Sequence, residues 1–146
     1  MNYTIKSPET KSEWDKYFNF RWEMLRKPLG MPKDTLKDKL EEKSYHLIVL
    51  SQNNEVIGSG RLHFNNSKEG QIRYMAVNNS FQRQGLGSEI VNELELIAKK
   101  RGIKSIILNA RENAINFYLS LGYKKYKPYE SDTGIPHTTM KKYLGN

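Results

Sequence analysis

The 146-residue sequence predicts an α/β (α+β) fold built on a central mixed, mainly antiparallel sheet of about seven strands, flanked by about four helices. Three observations carry this reading. Three short β-type runs separated by Asn- and Gly-containing turns follow one another between Tyr45 and Val77. The apolar spacing changes to a helical period at Leu86. Two helical runs of the second half each end on a glycine, at Gly102 and Gly122.

In chain order, Asn2–Ser7 reads as a short strand. Pro8 and Glu9 open a helix running to about Lys27, with Trp14, Tyr17, Phe18, Arg21, Trp22 and Leu25 on neighbouring turns. KPLGMP breaks it, and a charged helix over about Asp34–Lys43 follows. Tyr45–Ser51 is a strand, Asn53-Asn54 a hairpin turn into the strand Glu55–Phe64, and Gly70–Val77 a third antiparallel strand. Leu86, Ile90, Leu94 and Ile97 then mark a helix, widened by Val91 and Ala98. Lys104–Ala110 is a buried-type strand and Glu112–Gly122 a second helix. Tyr123–Tyr129 and His137–Tyr143 are the last strands, joined by ESDTGIP. Without repeats or low-complexity linkers, residues 1–146 read as a single domain.

Composition excludes several classes. No stretch approaches the ~20 apolar residues of a membrane span. The first residues lack the basic start and apolar run of a secretory signal, so a cytoplasmic location is expected. With no cysteine there is neither a disulfide, a catalytic thiol nor a thiolate metal site, and no metal is expected. The formal net charge of +8 is spread along the chain, and its densest run, Lys99-Lys100-Arg101, ends a helix where cations complement the dipole. That favours a general attraction to anions over a nucleic-acid face, and no nucleic-acid motif is present.

The chemistry gathers at QRQGLG, residues 82–87, between a strand and a helix. A helix start offers free N–H groups and positive potential to an anion, and glycine removes the Cβ that would hold the anion off. A tight turn would also want glycine there, so the loop alone leaves both readings open. There is no G-x-x-x-x-G-K-[ST], and a dinucleotide fingerprint would need glycine where Ile90 stands. The pattern [QR]-x-x-G-x-[GA] is satisfied by Gln82, Gly85 and Gly87. Downstream, ENAINFYLSLGY carries Ala114, Ile115, Phe117, Tyr118, Leu121, Gly122 and Tyr123 at the spacing A-I-x-x-[FL]-Y-x-x-[LY]-G-[FY]. By these two segments and the order of elements, the chain resembles the GNAT superfamily, the GCN5-related N-acetyltransferases that use acetyl-CoA.

The resemblance implies a splayed strand pair after the meander, with the backbone of Met75, Ala76 and Val77 along the pantetheine arm of acetyl-CoA. It implies an oxyanion donor near Met75 or Ala76, a cofactor-binding place for Gln82, and the pyrophosphate on the N–H groups of Arg83, Gln84, Gly85, Leu86, Gly87 and Ser88, with the Arg83 side chain as an extra cation. Tyr118 matches the tyrosine that protonates the departing thiolate. The reaction implied is direct attack of a primary amine in a ternary complex. The chain departs from the family twice. Arg73 stands at or next to the place of a glutamate that serves many relatives as base, and a guanidinium cannot accept the proton. The base is then His63, His137, Glu130 or a water chain. Arg111 replaces a pantetheine-binding asparagine, whose place Asn109 could take, unless Asn109 caps the next helix. Arg61, His63, Arg73 and His137, with Arg21 and Arg26, form a cationic set that would favour a small amine bearing carboxylate or phosphate, unless arginines pair with Glu23, Glu41 or Glu42. The expected partners are acetyl-CoA and that amine, the expected state a monomer or homodimer. A protein N-acetyltransferase and a non-catalytic acyl-CoA-binding module are the alternatives.

Overall fold

The computed structural model describes residues 2–131 and 133–145. The chain forms two compact units that alternate in sequence, Met1–His63 with Tyr74–Leu94, and Phe64–Arg73 with Glu95–Asn146.

The first unit holds β1 (Tyr3–Lys6), α1 (Lys11–Leu25), β2 (Tyr45–Ser51), β3 (Val56–Phe64) up to His63, the last residues of β4 (Glu69–Val77) and the first turns of α2 (Leu86–Lys100). β1 and β2 pair antiparallel from Tyr3 opposite Ser51 to Lys6 opposite Ile48, and β2 pairs antiparallel with β3 through a bulge at Val49/Leu50. The hairpin between them turns on Asn54, whose left-handed φ of 61° an asparagine tolerates. α1 starts later than Pro8: Thr10 accepts from the Glu13 N–H, and the Glu13 carboxylate returns to the Thr10 N–H. This capping box was present in the sequence as T-K-S-E. Tyr17 packs with Ile48 and Leu50, and Trp14, Phe18 and Val56 close over them. The segment expected as a helix over about Asp34–Lys43 forms two single 3-10 turns instead, Lys33–Leu36 and Glu41–Lys43. Leu36 is its one buried apolar side chain in these turns, too little to hold a full helix face.

α2 approaches β3 closely because β3 carries two glycines. A Cβ on Gly60 would lie 2.6 Å from Ile90 Cγ2 and 2.7 Å from Met75 Sδ; one on Gly58 would lie 3.1 Å from Val49 Cγ2. Ile90 and Leu94 are fully buried as a result.

The second unit holds the start of β4, the end of α2, β5 (Ser105–Arg111), α3 (Ile115–Ser120), β6 (Lys124–Glu130) and β7 (Pro136–Tyr143). β4 and β5 run parallel from Glu69 opposite Ser105 to Ile72 opposite Leu108, the pair that needs α2 as its crossover. β5 pairs antiparallel with β7, and β7 with β6. The helix expected at Glu112–Gly122 divides into a 3-10 turn, Glu112–Ala114, and α3. Gly102 and Gly122 end α2 and α3 with φ of 78° and 96°. β6 is exposed at every residue, and its lysines and Pro128 make a poor template for strand addition. Glu95, nearly buried, accepts from Tyr123 Oη and Lys142 Nζ, both at 2.9 Å. The expected β6–β7 connection includes Asp132, which lies outside the described residues.

The strands hydrogen-bond in the order β1-β2-β3-β4-β5-β7-β6, so the sheet is seven-stranded, mixed and mainly antiparallel, as the sequence predicts. Among the described residues no helix is long and apolar enough to cross a membrane.

Candidate active site

The loop that opens α2 is built from backbone. Arg83 and Gly85 both lie in the left-handed region, at φ 66° and 81°. A Cβ on Gly85 would meet no atom within 4 Å, so the backbone angle demands this glycine and the space before it stays open. Gly87 has no positive φ and sits in the first turn of α2. The Glu89 N–H makes the first helical bond, to Gly85 O at 3.0 Å, and the N–H groups of Leu86, Gly87 and Ser88 before it are those a helix start leaves without intrahelical acceptors. Gln82 has a job the sequence did not suggest: its side-chain amide donates to Val77 O at 3.1 Å and Asn79 Oδ1 at 3.0 Å, tying the loop to the end of β4. Gln84 is exposed beside it.

β4 delivers the other backbone element. Its burial alternates from Glu69 to Tyr74 and then stops alternating, with Met75, Ala76 and Val77 all half-buried. The cause is Tyr74, a bulky residue at φ 58°, where a left-handed step turns the strand. Ser59 Oγ donates to the Tyr74 carbonyl at 2.8 Å.

Around the Tyr74 ring lies a polar cluster that is mostly buried. Arg21 and Arg61 are both 0% exposed. Arg21 binds Glu41 through both Nη atoms at 2.9 and 3.0 Å and donates to the Leu36 carbonyl. Arg61 binds Asp38 at 2.7 and 2.9 Å and Glu41 at 2.9 Å. Arg61 therefore does not meet an acceptor anion as expected: its charge is neutralised inside the chain, as is that of Arg21. Arg26 is engaged too, through the Thr35 carbonyl at 3.2 Å. Burial pushes Glu41 up, but the hydrogen bonds from Arg21 and the Asp38 amide, with the charges of Arg21 and Arg61, outweigh it and hold the carboxyl below its ordinary value. Tyr17 accepts from Arg21 at 3.2 Å and donates to His46 Nδ1 at 2.7 Å, while His46 Nε2 donates to the Glu41 carbonyl at 2.7 Å. Burial pushes the Tyr17 phenol up to about 12 and the His46 imidazole down. Asp38, Tyr17 and His46 were not anticipated. Arg21 on the apolar stripe of α1 was the available signal, since a charge on a core-facing stripe requires partners.

The histidines proposed as bases differ in what they offer. His63 is 4% exposed, and its Nδ1 lies 3.1 Å from an Arg61 Nη, so that lone pair is occupied. His137 is half-buried on β7, and its Nδ1 lies 2.7 Å from the Ile135 carbonyl. A carbonyl only accepts, so Nδ1 carries the hydrogen and the neutral ring keeps a lone pair on Nε2. Opposite His137 in the β5–β7 register stands Arg111, and Tyr129 on β6 meets the imidazole edge to face. Glu130 ends β6, exposed. Arg73 is half-buried on β4 between Ile72 and Tyr74.

Tyr118, 7% exposed on α3, meets Phe117 and Tyr123 edge to face. Burial alone pushes its phenol well above the ordinary value, so it stays protonated through the working pH range. Asn109 does not cap the following turn, whose N-cap is Arg111 with no side-chain bond. Its Oδ1 accepts from Thr139 Oγ1 at 2.6 Å.

A strand turned by a left-handed residue, running on to a glycine-turned helix start, within this seven-stranded order, defines the class: an acyl-CoA-dependent N-acyltransferase. Residues 26–144 match the family described as Acetyltransferase (GNAT) domain, and the chain belongs to that family. It is 32% identical over 126 residues to the Bacillus subtilis (strain 168) protein named uncharacterized N-acetyltransferase YjcF, covering 86% of this chain and 89% of that one. Among solved structures, an aminoglycoside 6'-N-acetyltransferase complexed with coenzyme A superposes with a TM-score of 0.81 at 16% identity, covering 98% of each chain. Ard1 from Thermoplasma volcanium does so with a TM-score of 0.81 at 19% identity over the full length of both.

Proposed function

We propose that the protein moves the acetyl group of acetyl-CoA to the primary amine of a small metabolite by direct attack in a ternary complex. The observation that carries the reading is Gly85: its backbone angle, not packing, demands glycine, and it leaves open space before the N–H groups that start α2. Those N–H groups, with the Arg83 side chain, suit the pyrophosphate. The backbone of Met75 to Val77 runs along the pantetheine arm, and an N–H there receives the developing oxyanion.

Tyr118 acts as general acid. As the amine nitrogen bonds to the acetyl carbon and the C–S bond breaks, the phenol gives its proton to the thiolate. A phenol held neutral by burial suits this role. His137 first takes a proton from the acceptor's ammonium, directly or through water, on the Nε2 that its Ile135 bond leaves free, so that the neutral amine attacks; the proton the nitrogen sheds as the amide forms restores the Tyr118 phenol. Arg61 is neutralised within the chain, so the cation assigned to an anionic group on the acceptor is Arg73 on β4.

An acceptor screen that follows release of free CoA tests the whole reading. Amino acids and amino sugar phosphates should outperform spermidine and basic peptides. With the best acceptor, Tyr118→Phe should lose about 10²-fold in kcat. A folded Tyr118→Phe protein with full turnover at every pH would remove the acid role. Acetyl-CoA that neither binds nor raises Tm would remove the enzyme reading itself.

A further inference from the structure

The structure assigns a positioning role to the buried arginines Arg21 and Arg61: acting through the ring of Tyr74, they hold β4 in the left-handed step that presents the backbone of Met75, Ala76 and Val77. This rests on the proposal that this backbone lies along acetyl-CoA.

Tyrosine is a poor choice for φ 58°, because its Cβ crowds the backbone there; glycine or asparagine would take the angle at lower cost. Something outside the strand must therefore hold it. Arg21 Cζ lies 3.5 Å from the centroid of the Tyr74 ring, with Arg61 Cζ at 4.8 Å and Arg26 Cζ at 5.7 Å. A guanidinium stacked on an aromatic face gains from dispersion and from the ring quadrupole, most of all where water is excluded. These two guanidiniums are themselves fixed: Glu41 grips Arg21 bidentately and bridges to Arg61, and Asp38 grips Arg61 bidentately. The other side of the residue is fixed as well, since Ser59 Oγ holds the Tyr74 carbonyl. Ring and peptide are thus pinned from α1, from the 38–41 segment and from β3, and the strand changes its facing at this residue. A cluster needed only for stability would not have to close on the one non-glycine residue of β4 with a positive φ.

The test compares Tyr74→Phe, which keeps the aromatic face, with Tyr74→Gly, which takes the angle freely but offers no face, and Tyr74→Met, which keeps volume without a π-face. Two quantities are read on the full chain: hydrogen exchange of the Met75, Ala76 and Val77 amides without ligand, and calorimetric affinity for acetyl-CoA. The expected result is exchange at least tenfold faster and affinity at least tenfold weaker in Tyr74→Gly and Tyr74→Met, with Tyr74→Phe close to wild type in both. Exchange and affinity unchanged in whichever of the Gly and Met variants folds would overturn the role. If wild-type protein does not bind acetyl-CoA, the functional reading fails, while the exchange measurement still decides whether the aromatic face on which the arginines stack holds the step.

Discussion

Gly85 and Tyr74 place the backbone in the same left-handed region, at φ 81° and 58°, by opposite means. At Gly85 the solution is local: the residue lacks the atom that would clash, and nothing in the fold need press on it. At Tyr74 the residue is wrong for the angle, and three arginines, two carboxylates and a serine from distant parts of the sequence compensate. Gly85 can therefore be changed with consequences confined to the loop. The step in β4 depends on a charged cluster whose failure would reach α1, β3 and the 38–41 segment together.

The largest expected effect lies on the Tyr74 side. Glu41→Ala leaves Arg21 and Arg61 buried with too little negative charge, and should cost about 3–5 kcal/mol of stability, read as urea midpoint or Tm. A loss below ~1 kcal/mol would mean the cluster is wet or readily rearranged, and the contrast with the loop would collapse. Gly85→Ala should cost less, about 1–2 kcal/mol, from the backbone angle alone, because no atom crowds the added methyl. If acetyl-CoA affinity also falls tenfold or more in that variant, the methyl occupies space the cofactor needs, which sharpens the loop's role from turn to binding surface.

The smallest effect is in the pH dependence. His46 has its folded pKa depressed, so below its ordinary 6.5 the unfolded chain takes up a proton that the folded imidazole resists, and stability falls. Glu41 is also depressed: its contribution is fully present above about 4.5 and is lost as pH falls through its folded value. The groups facing them are Arg21 and Tyr17 from α1, Arg61 from β3, and Asp38. Stability measured against pH should therefore decline in two steps, and Glu41→Gln should flatten the lower one. A single step confined below pH 4 in the wild type would show that His46 is not the buried neutral group its contacts imply.

Legibility followed the same division. Gly85, Gly102 and Gly122 were readable as turn and cap positions because each is decided by its own φ. The hairpin at Asn54 and the strands were readable for a similar reason, since period-two patterns and turn residues act over a few positions. The helix expected over about Asp34–Lys43 was misread because its charged residues supply no buried face, and Asp38 and Glu41 turn inward to meet arginines from α1 and β3. Arg61 looked like a substrate contact because a sequence shows its charge but not the carboxylates folded against it. Gly58 and Gly60 lie inside a strand where period-two patterning does not distinguish them, and only the packing of the helix that carries the loop shows why they are glycine.

By itself the sequence determined the strand and helix order, the family and the glycine turn before α2, since these depend on periodicity, on motifs at fixed spacing and on the steric freedom of single residues. Only the tertiary structure decided that Arg21 and Arg61 turn inward, that His63 is engaged while His137 keeps a lone pair, and that Tyr74 bears the left-handed step in β4. Those outcomes depend on which charged and aromatic groups meet after residues tens of positions apart are brought within a few ångströms. The desolvation of those groups, which sets their partners, exists only once the chain has folded around them.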